Sequence, residues 1–128
     1  MQGRIVTTLL ACTVQLAILN GAQAFPDRPI KLVVSSPPGG PPDIMARLLT
    51  DKMAAALGQP VVVENRAGGA GGLIAAKSVI AAEPDGYTVM MGSTSTLLTA
   101  PLIYKNAGYT AATFAPVAGV SETAGSSR

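Results

Sequence analysis

Short apolar runs alternate with helical stripes from residue 30 to residue 104. Ile30-Lys31-Leu32-Val33-Val34 is β-branched and apolar, and reads as a buried strand. From Asp43 to Leu57 the apolar residues Ile44, Met45, Leu48, Leu49, Met53, Ala56 and Leu57 fall on one helical face, with Arg47, Asp51 and Lys52 on the other. Gly58 and Pro60 then stop the helix. The unit repeats. Val61-Val62-Val63 predicts a second strand, residues 64–72 a glycine-rich turn, and Leu73 to Ala82 a second helix ended by Pro84-Asp85-Gly86. Tyr87 to Met91 predicts a third strand, and Gly92 to Thr96 a polar turn capping a helix over Leu97 to Tyr104. Phe114 to Val120 reads as a further strand or an extended crossover.

Strands this apolar are buried on both faces, and strand–loop–helix alternation builds a parallel sheet covered by helices. The expected class is therefore α/β. In such sheets ligands sit at the carboxyl ends of the strands. The unusual loops, 35–42, 64–72 and 92–96, all follow strands, whereas Gly58-Gln59-Pro60 and Glu83-Pro84-Asp85-Gly86 are ordinary turns. One end of the sheet is therefore expected to be a binding face.

The first residues belong to a different kind of segment. Arg4, the apolar run Ile5 to Leu19 and Ala22-Gln23-Ala24 make a secretory signal over residues 1–24, with cleavage after Ala24 and export to the periplasm. The run is short for a membrane anchor. A lipoprotein signal at Leu9-Leu10-Ala11-Cys12 would leave an apolar stretch behind the cysteine, which disfavours it. Nine Lys/Arg face seven Asp/Glu, and Arg4 leaves with the signal, so residues 25–128 are nearly neutral. That charge argues against a nucleic-acid partner. There is no histidine, and the single cysteine, Cys12, lies in the signal. His-based triads are excluded, a zinc site lacks its usual ligands, and no metal or cofactor is implied. An enzyme working on the same face is therefore not expected.

The stretch Ser35-Ser36-Pro37-Pro38-Gly39-Gly40-Pro41-Pro42 joins the first strand to the first helix. A helix start leaves N–H groups unpaired and carries partial positive charge. Glycines allow close approach, and prolines pre-set the first turn. Together they can form an anion site without a basic side chain. A helix start solvated by water, with Asp43 favourable in the first turn, has the same composition. The loop contains no G-x-x-x-x-G-K-[ST], and Ile74 stands where a dinucleotide fingerprint needs Gly or Ala, so residues 68–72 read as a tight turn or a close approach to a neighbour. Ser93, Thr94 and Ser95 can cap a helix or offer hydroxyl donors to a ligand. Tyr87, Tyr104 and Tyr109 read as packing residues, and Arg66 beside Glu64 as a surface ion pair.

PDRPIKLVV, PPGGPPDIMARLL, ALGQPVVVENRAGGAGG, EPDGYTVMMGSTSTL and LIYKNAGY…FAPV occur in that order. With this ordered set the chain resembles the tripartite tricarboxylate transporter substrate receptors, the Bug family, from about Phe25 to Val117. The resemblance implies a periplasmic solute receptor of type II-like architecture, with two α/β lobes closing over a small organic carboxylate and membrane components of a tripartite transporter as partners. It implies that the PPGG loop holds a ligand carboxylate through backbone groups and bound water. Pro38, Gly39 and Gly40 match that loop, Asp43 matches its acidic position, and Ser93, Thr94 and Ser95 match the cleft loop after the third strand. With Ser36 these form the candidate ligand-binding set. The chain departs from the family where Ser35 and Ser36 replace a proline and an aromatic, where Pro41-Pro42 replaces a small polar pair, and where Thr110 replaces an aspartate. Family members run to roughly 300 residues as two lobes. The resemblance thus implies a truncated chain, with residues 25–117 as the first part of an N-terminal lobe and 118–128 as a truncated crossover or divergent tail. The alternative function is a non-functional remnant of such a receptor.

Overall fold

The computed structural model describes residues 24–121. The signal segment lies outside the described residues, apart from Ala24. Ile30–Val34 forms β1, Val61–Asn65 forms β2 and Thr88–Met91 forms β3. β1 is the most apolar of the three and takes the centre of a parallel sheet ordered β2-β1-β3. Ile30 stands opposite Val61, and Lys31 opposite Thr88. A central strand loses water on both faces, which suits Ile30, Leu32, Val33 and Val34, all buried.

Helices cover both faces, as expected from the alternation. Pro41–Leu57 forms α1 and lies against β1 and β2. Leu73–Ile80 forms α2, entered through a 3-10 turn over Ala70–Gly72, and lies against β3 and β1. Leu32 and Val34 pack with Ala46 of α1 and with Val61, Val63, Val89 and Met91. Met90, one residue out of phase with Val89 and Met91, packs instead with Leu73, Ala76, Ala107, Tyr109 and Phe114. The period-two alternation of β3 thus divides its side chains between two cores. Each fully buried Val or Leu contributes about 1.5–3 kcal/mol.

α1 ends as its sequence predicts. Gly58 adopts the left-handed conformation at φ 68°, and its N–H donates to the Ala54 carbonyl at 2.9 Å. The buried face of α1 differs from the apolar stripe. Asp43 and Ala46 are its buried residues, whereas Ile44 is 52% and Leu48 69% exposed, and Ala56 is also exposed. Two contacts set this rotation. Asp43 is tied by hydrogen bonds to the loop and to β2, and small Ala46 lets the helix approach the sheet closely.

The last third departs further. The predicted helix over Leu97 to Tyr104 begins earlier, as a π-helical turn over Ser95–Thr99, and continues as α3, Ala100–Ile103. Pro101 has no N–H to return to Leu97, and the Ala100 N–H reaches back to the Ser95 carbonyl, which widens the turn. Phe114 to Val120 forms no strand. Phe114 packs edge-on against Tyr109, 5.6 Å between ring centres, while Pro116 cannot donate to a ladder and Val117 is 87% exposed. α2 stops at Ile80 rather than Ala82. Tyr109 is buried and Tyr87 half-buried, both packing, but Tyr104 is 39% exposed and packs less than its type suggested.

Candidate functional site

The three strands run parallel, so the loops that follow them meet at one end of the sheet. The meeting point is tight. At Gly72, φ 85°, an added Cβ would lie 2.7 Å from Thr96 Oγ1 and 2.8 Å from Ser35 Cβ. The glycine-rich segment therefore serves close approach: it lets the loop after β2 touch the loops after β1 and β3 at once. Next to this contact Ser93 Oγ lies 2.7 Å from Ser95 Oγ and 3.1 Å from Thr96 Oγ1. Thr96 is fully buried, and its carbonyl accepts the Tyr109 hydroxyl at 2.7 Å.

A cavity of about 360 Å³ opens between α1 and the end of β3. Pro41, Pro42 and Met45 form one wall, and Met90, Met91, Gly92 and Ser93 the other. Ser35 and residues 118–121 also line it. The lining mixes thioether and proline surface with hydroxyls and a glycine, the kind of apolar pocket with a few polar groups that suits a small ligand.

The loop after β1 is held by a network rather than left open. Gly39, at φ 82°, donates its N–H to Asp43 Oδ2 at 2.9 Å. Arg47 Nε donates to the same oxygen at 2.9 Å. Asn65 Nδ2 donates to Asp43 Oδ1 at 2.9 Å and to the Ser36 carbonyl at 3.1 Å. The Arg47 hydrogen bond, then those of Gly39 and Asn65, hold the Asp43 carboxyl far below the usual carboxylate range. Gly40 donates its N–H to the Pro37 carbonyl at 3.2 Å. Pro41 and Pro42 have no N–H to offer. The glycine N–H groups of this loop are therefore committed within the loop and helix, and hydroxyl groups are the side-chain donors left nearby. Ser36 Oγ is buried without a hydrogen-bond partner among the described residues.

The candidate residues thus separate. Ser93 lines the cavity, with Ser95 hydrogen-bonded to it. Ser36 sits beneath Gly40, where a Cβ would lie 3.4 Å from its Oγ. Pro38, Gly39 and Thr94 are exposed on the loop surfaces, and Asp43 is buried in the network. Arg66 pairs with Glu64 at the surface. Ser35, Asn65, Thr96 and Met45 join the site from outside the candidate ligand-binding set. The Asp43–Arg47 pair was readable from its i,i+4 spacing. Asn65 carried only the weaker signal of a polar residue ending an apolar run. Among the described residues no group of His, Cys, Asp and Glu could hold a metal ion.

Comparison with known proteins decides the family. A model described as the tripartite tricarboxylate transporter family receptor matches residues 44–126, which extends past Val117, where the sequence resemblance is expected to end. The chain belongs to this receptor family. It is 43% identical over 100 residues to a UPF0065 protein of Bordetella pertussis, covering 78% of this chain and 31% of that protein. Its structure resembles the periplasmic binding protein BugD at 46% identity and a TM-score of 0.57, covering 66% of this chain and 28% of BugD. It also resembles MatC of Rhodopseudomonas palustris with bound malate, at 42% identity and a TM-score of 0.63 over 68% of this chain and 29% of MatC. R. palustris Rpa4515 with adipate is 37% identical, with a TM-score of 0.64 over 70% of this chain and 29% of that protein. The chain spans about 30% of the length of these proteins.

Proposed function

We propose that this chain contributes one side of a receptor site for a small organic carboxylate, in a periplasmic solute receptor that serves the membrane components of a tripartite transporter. Membership of the receptor family carries the reading, and two similar proteins are solved with the dicarboxylates malate and adipate. The geometry supports it. The loops following all three strands converge at one end of the sheet, beside a cavity lined by Ser35 and Ser93. Hydroxyl donors and the positive end of α1 favour an anion, and the Asp43 carboxylate close by is neutralised by Arg47. In this reading residues 25–117 form the first part of the N-terminal lobe, and 118–128 a truncated crossover or divergent tail. Residues 1–24 act as a cleaved signal, so N-terminal sequencing of the exported protein should begin Phe25-Pro26-Asp27; a terminus at Cys12 would contradict this.

The functional test is an amide-resolved NMR titration with malate and adipate. The amides of Ser35, Ser36, Gly39, Gly40 and residues 92–96 should shift, while amides at the far end of the sheet stay fixed. An unchanged spectrum with these acids, and with citrate, succinate and glutamate, would overturn the carboxylate reading.

A further inference from the structure

Asn65 ends β2, and its side-chain amide has every partner it can use on that side. Nδ2 carries two protons and faces two acceptors, the Ser36 carbonyl at 3.1 Å and Asp43 Oδ1 at 2.9 Å. Its Oδ1 faces the Arg47 guanidinium at 3.4 Å. Two donors on one side and an acceptor on the other are the pattern of an asparagine amide, and they fix its orientation. Asp43 passes the restraint on, because its Oδ2 accepts the Gly39 N–H. One strand residue therefore holds the loop at two points: Ser36 directly, and Gly39 through Asp43.

We propose that Asn65 is a positioning residue that sets the shape of the loop between β1 and α1 at the ligand face. Its importance for binding rests on the carboxylate reading above; its hold on the loop does not. The loop needs such a hold. Gly39 sits in a left-handed conformation between Pro38 and Gly40, and its exposed surface gives it little packing. A free loop of this composition would sample many shapes, and ordering it would weaken any ligand. In this arrangement Asp43 acts through the loop, with its charge matched by Arg47. The neighbouring carboxylate, Glu64, is occupied by Lys31 at 2.9 Å and by Arg66. The Lys31 hydrogen bond is the main cause that holds the Glu64 carboxyl below its usual value of 4.5.

Asn65→Asp tests the proposal with almost no change of shape. It turns two donors into a carboxylate aimed at the Ser36 carbonyl and at Asp43. The like charge raises the proton affinity of the new pair, and protonation returns one donor. Hydrogen exchange of the Gly39 amide is followed in the full chain without ligand, from neutral to acid pH. At pH 7 Asn65→Asp should speed that exchange about tenfold over the wild type, as loss of one ordinary hydrogen bond implies. On acidification the ratio should fall back toward one. Asn65→Ala, which adds no charge, should loosen Gly39 at every pH. Amides of Val33 and Val34 should be unaffected in both variants, which shows that the sheet is intact. Wild-type exchange at Gly39 in both variants would overturn the proposal. So would loosening that spreads equally to Val33 and Val34, because Asn65 would then be a general stability residue. In a malate titration at pH 7, both variants should need about tenfold more malate than the wild type. If the wild type ignores malate, the carboxylate reading fails, and the ligand-free exchange data still decide the role of Asn65.

Discussion

Ser36 and Asp43 show how differently two neighbouring polar residues can be buried. Ser36 Oγ lacks a hydrogen-bond partner among the described residues. A buried hydroxyl left unpaired costs about 1–3 kcal/mol. Ser36→Ala should therefore leave stability unchanged or raise it by about 1 kcal/mol, while weakening malate binding. Urea denaturation and an NMR titration measure the two effects. A clear loss of stability would mean that the hydroxyl has a structural partner in solution. Asp43 is the opposite case, with both oxygens paired. Its folded-state proton affinity lies below the ordinary value of 3.8, so its contribution to stability is fully present above that pH. The contribution is lost as the pH falls below 3.8 toward the depressed folded value. Asp43→Asn should lower the urea midpoint at pH 7, and the gap from wild type should shrink at pH 3 and below. A constant gap across that range would show that the charge of Asp43 contributes nothing.

Among the elements, the loops at the carboxyl end are the most constrained. Gly72→Ala forces a left-handed backbone onto a residue with a Cβ and places that Cβ 2.7 Å from Thr96 Oγ1. The two effects together should cost about 2–4 kcal/mol. Urea denaturation checks this, and a loss under about 1 kcal/mol would mean the three loops separate easily. Gly40 is constrained more gently, with a normal φ of −72° and the Pro37 carbonyl 3.2 Å from where a Cβ would stand. Gly40→Val should weaken carboxylate binding at least tenfold, about 1.4 kcal/mol, and unchanged affinity in a folded variant would remove Gly40 from the site. The three strands, the parallel sense of the sheet and the meeting of the unusual loops at one end of it were legible because apolar runs and loop composition are local signals. The buried face of α1 was not legible, because Asp43 reaches partners 4 and 22 residues away and turns Ile44 and Leu48 outward. The commitment of the Gly39 N–H was hidden for the same reason. The π-helical turn was foreshadowed by Pro101 alone, and a single proline does not say whether a helix kinks, widens or ends.

At the scale of the whole molecule, a one-sided site and a narrow sheet lead to two linked expectations. Tight receptors bury most of a ligand, and a cavity open on one side offers a few hydrogen bonds, each worth about 1 kcal/mol net. Calorimetry on the monomeric chain should give at best millimolar affinity for malate, roughly −4 kcal/mol; micromolar binding would show that this cavity suffices. Keeping the chain monomeric is the harder part. The outer edges of β2 and β3 have no partner strand among the described residues. Val62 on β2 is 54% exposed, Leu98, Leu102 and Ile103 in and before α3 are 52–85% exposed, and Ile44 and Leu48 add a further apolar patch on α1. Unpaired edges template pairing with another chain, and a lysine on an edge strand opposes it. The chain should therefore self-associate at micromolar to millimolar concentration, as read by sedimentation velocity. Val62→Lys, which places a charge on the edge strand β2, should shift the distribution toward monomer without loss of the Val33 and Val34 amide signals. If association persists unchanged in Val62→Lys but falls in Leu102→Lys, the apolar surface of α3 drives it rather than the sheet edge. A wild-type chain that stays monomeric throughout would show that neither surface is sticky enough to matter.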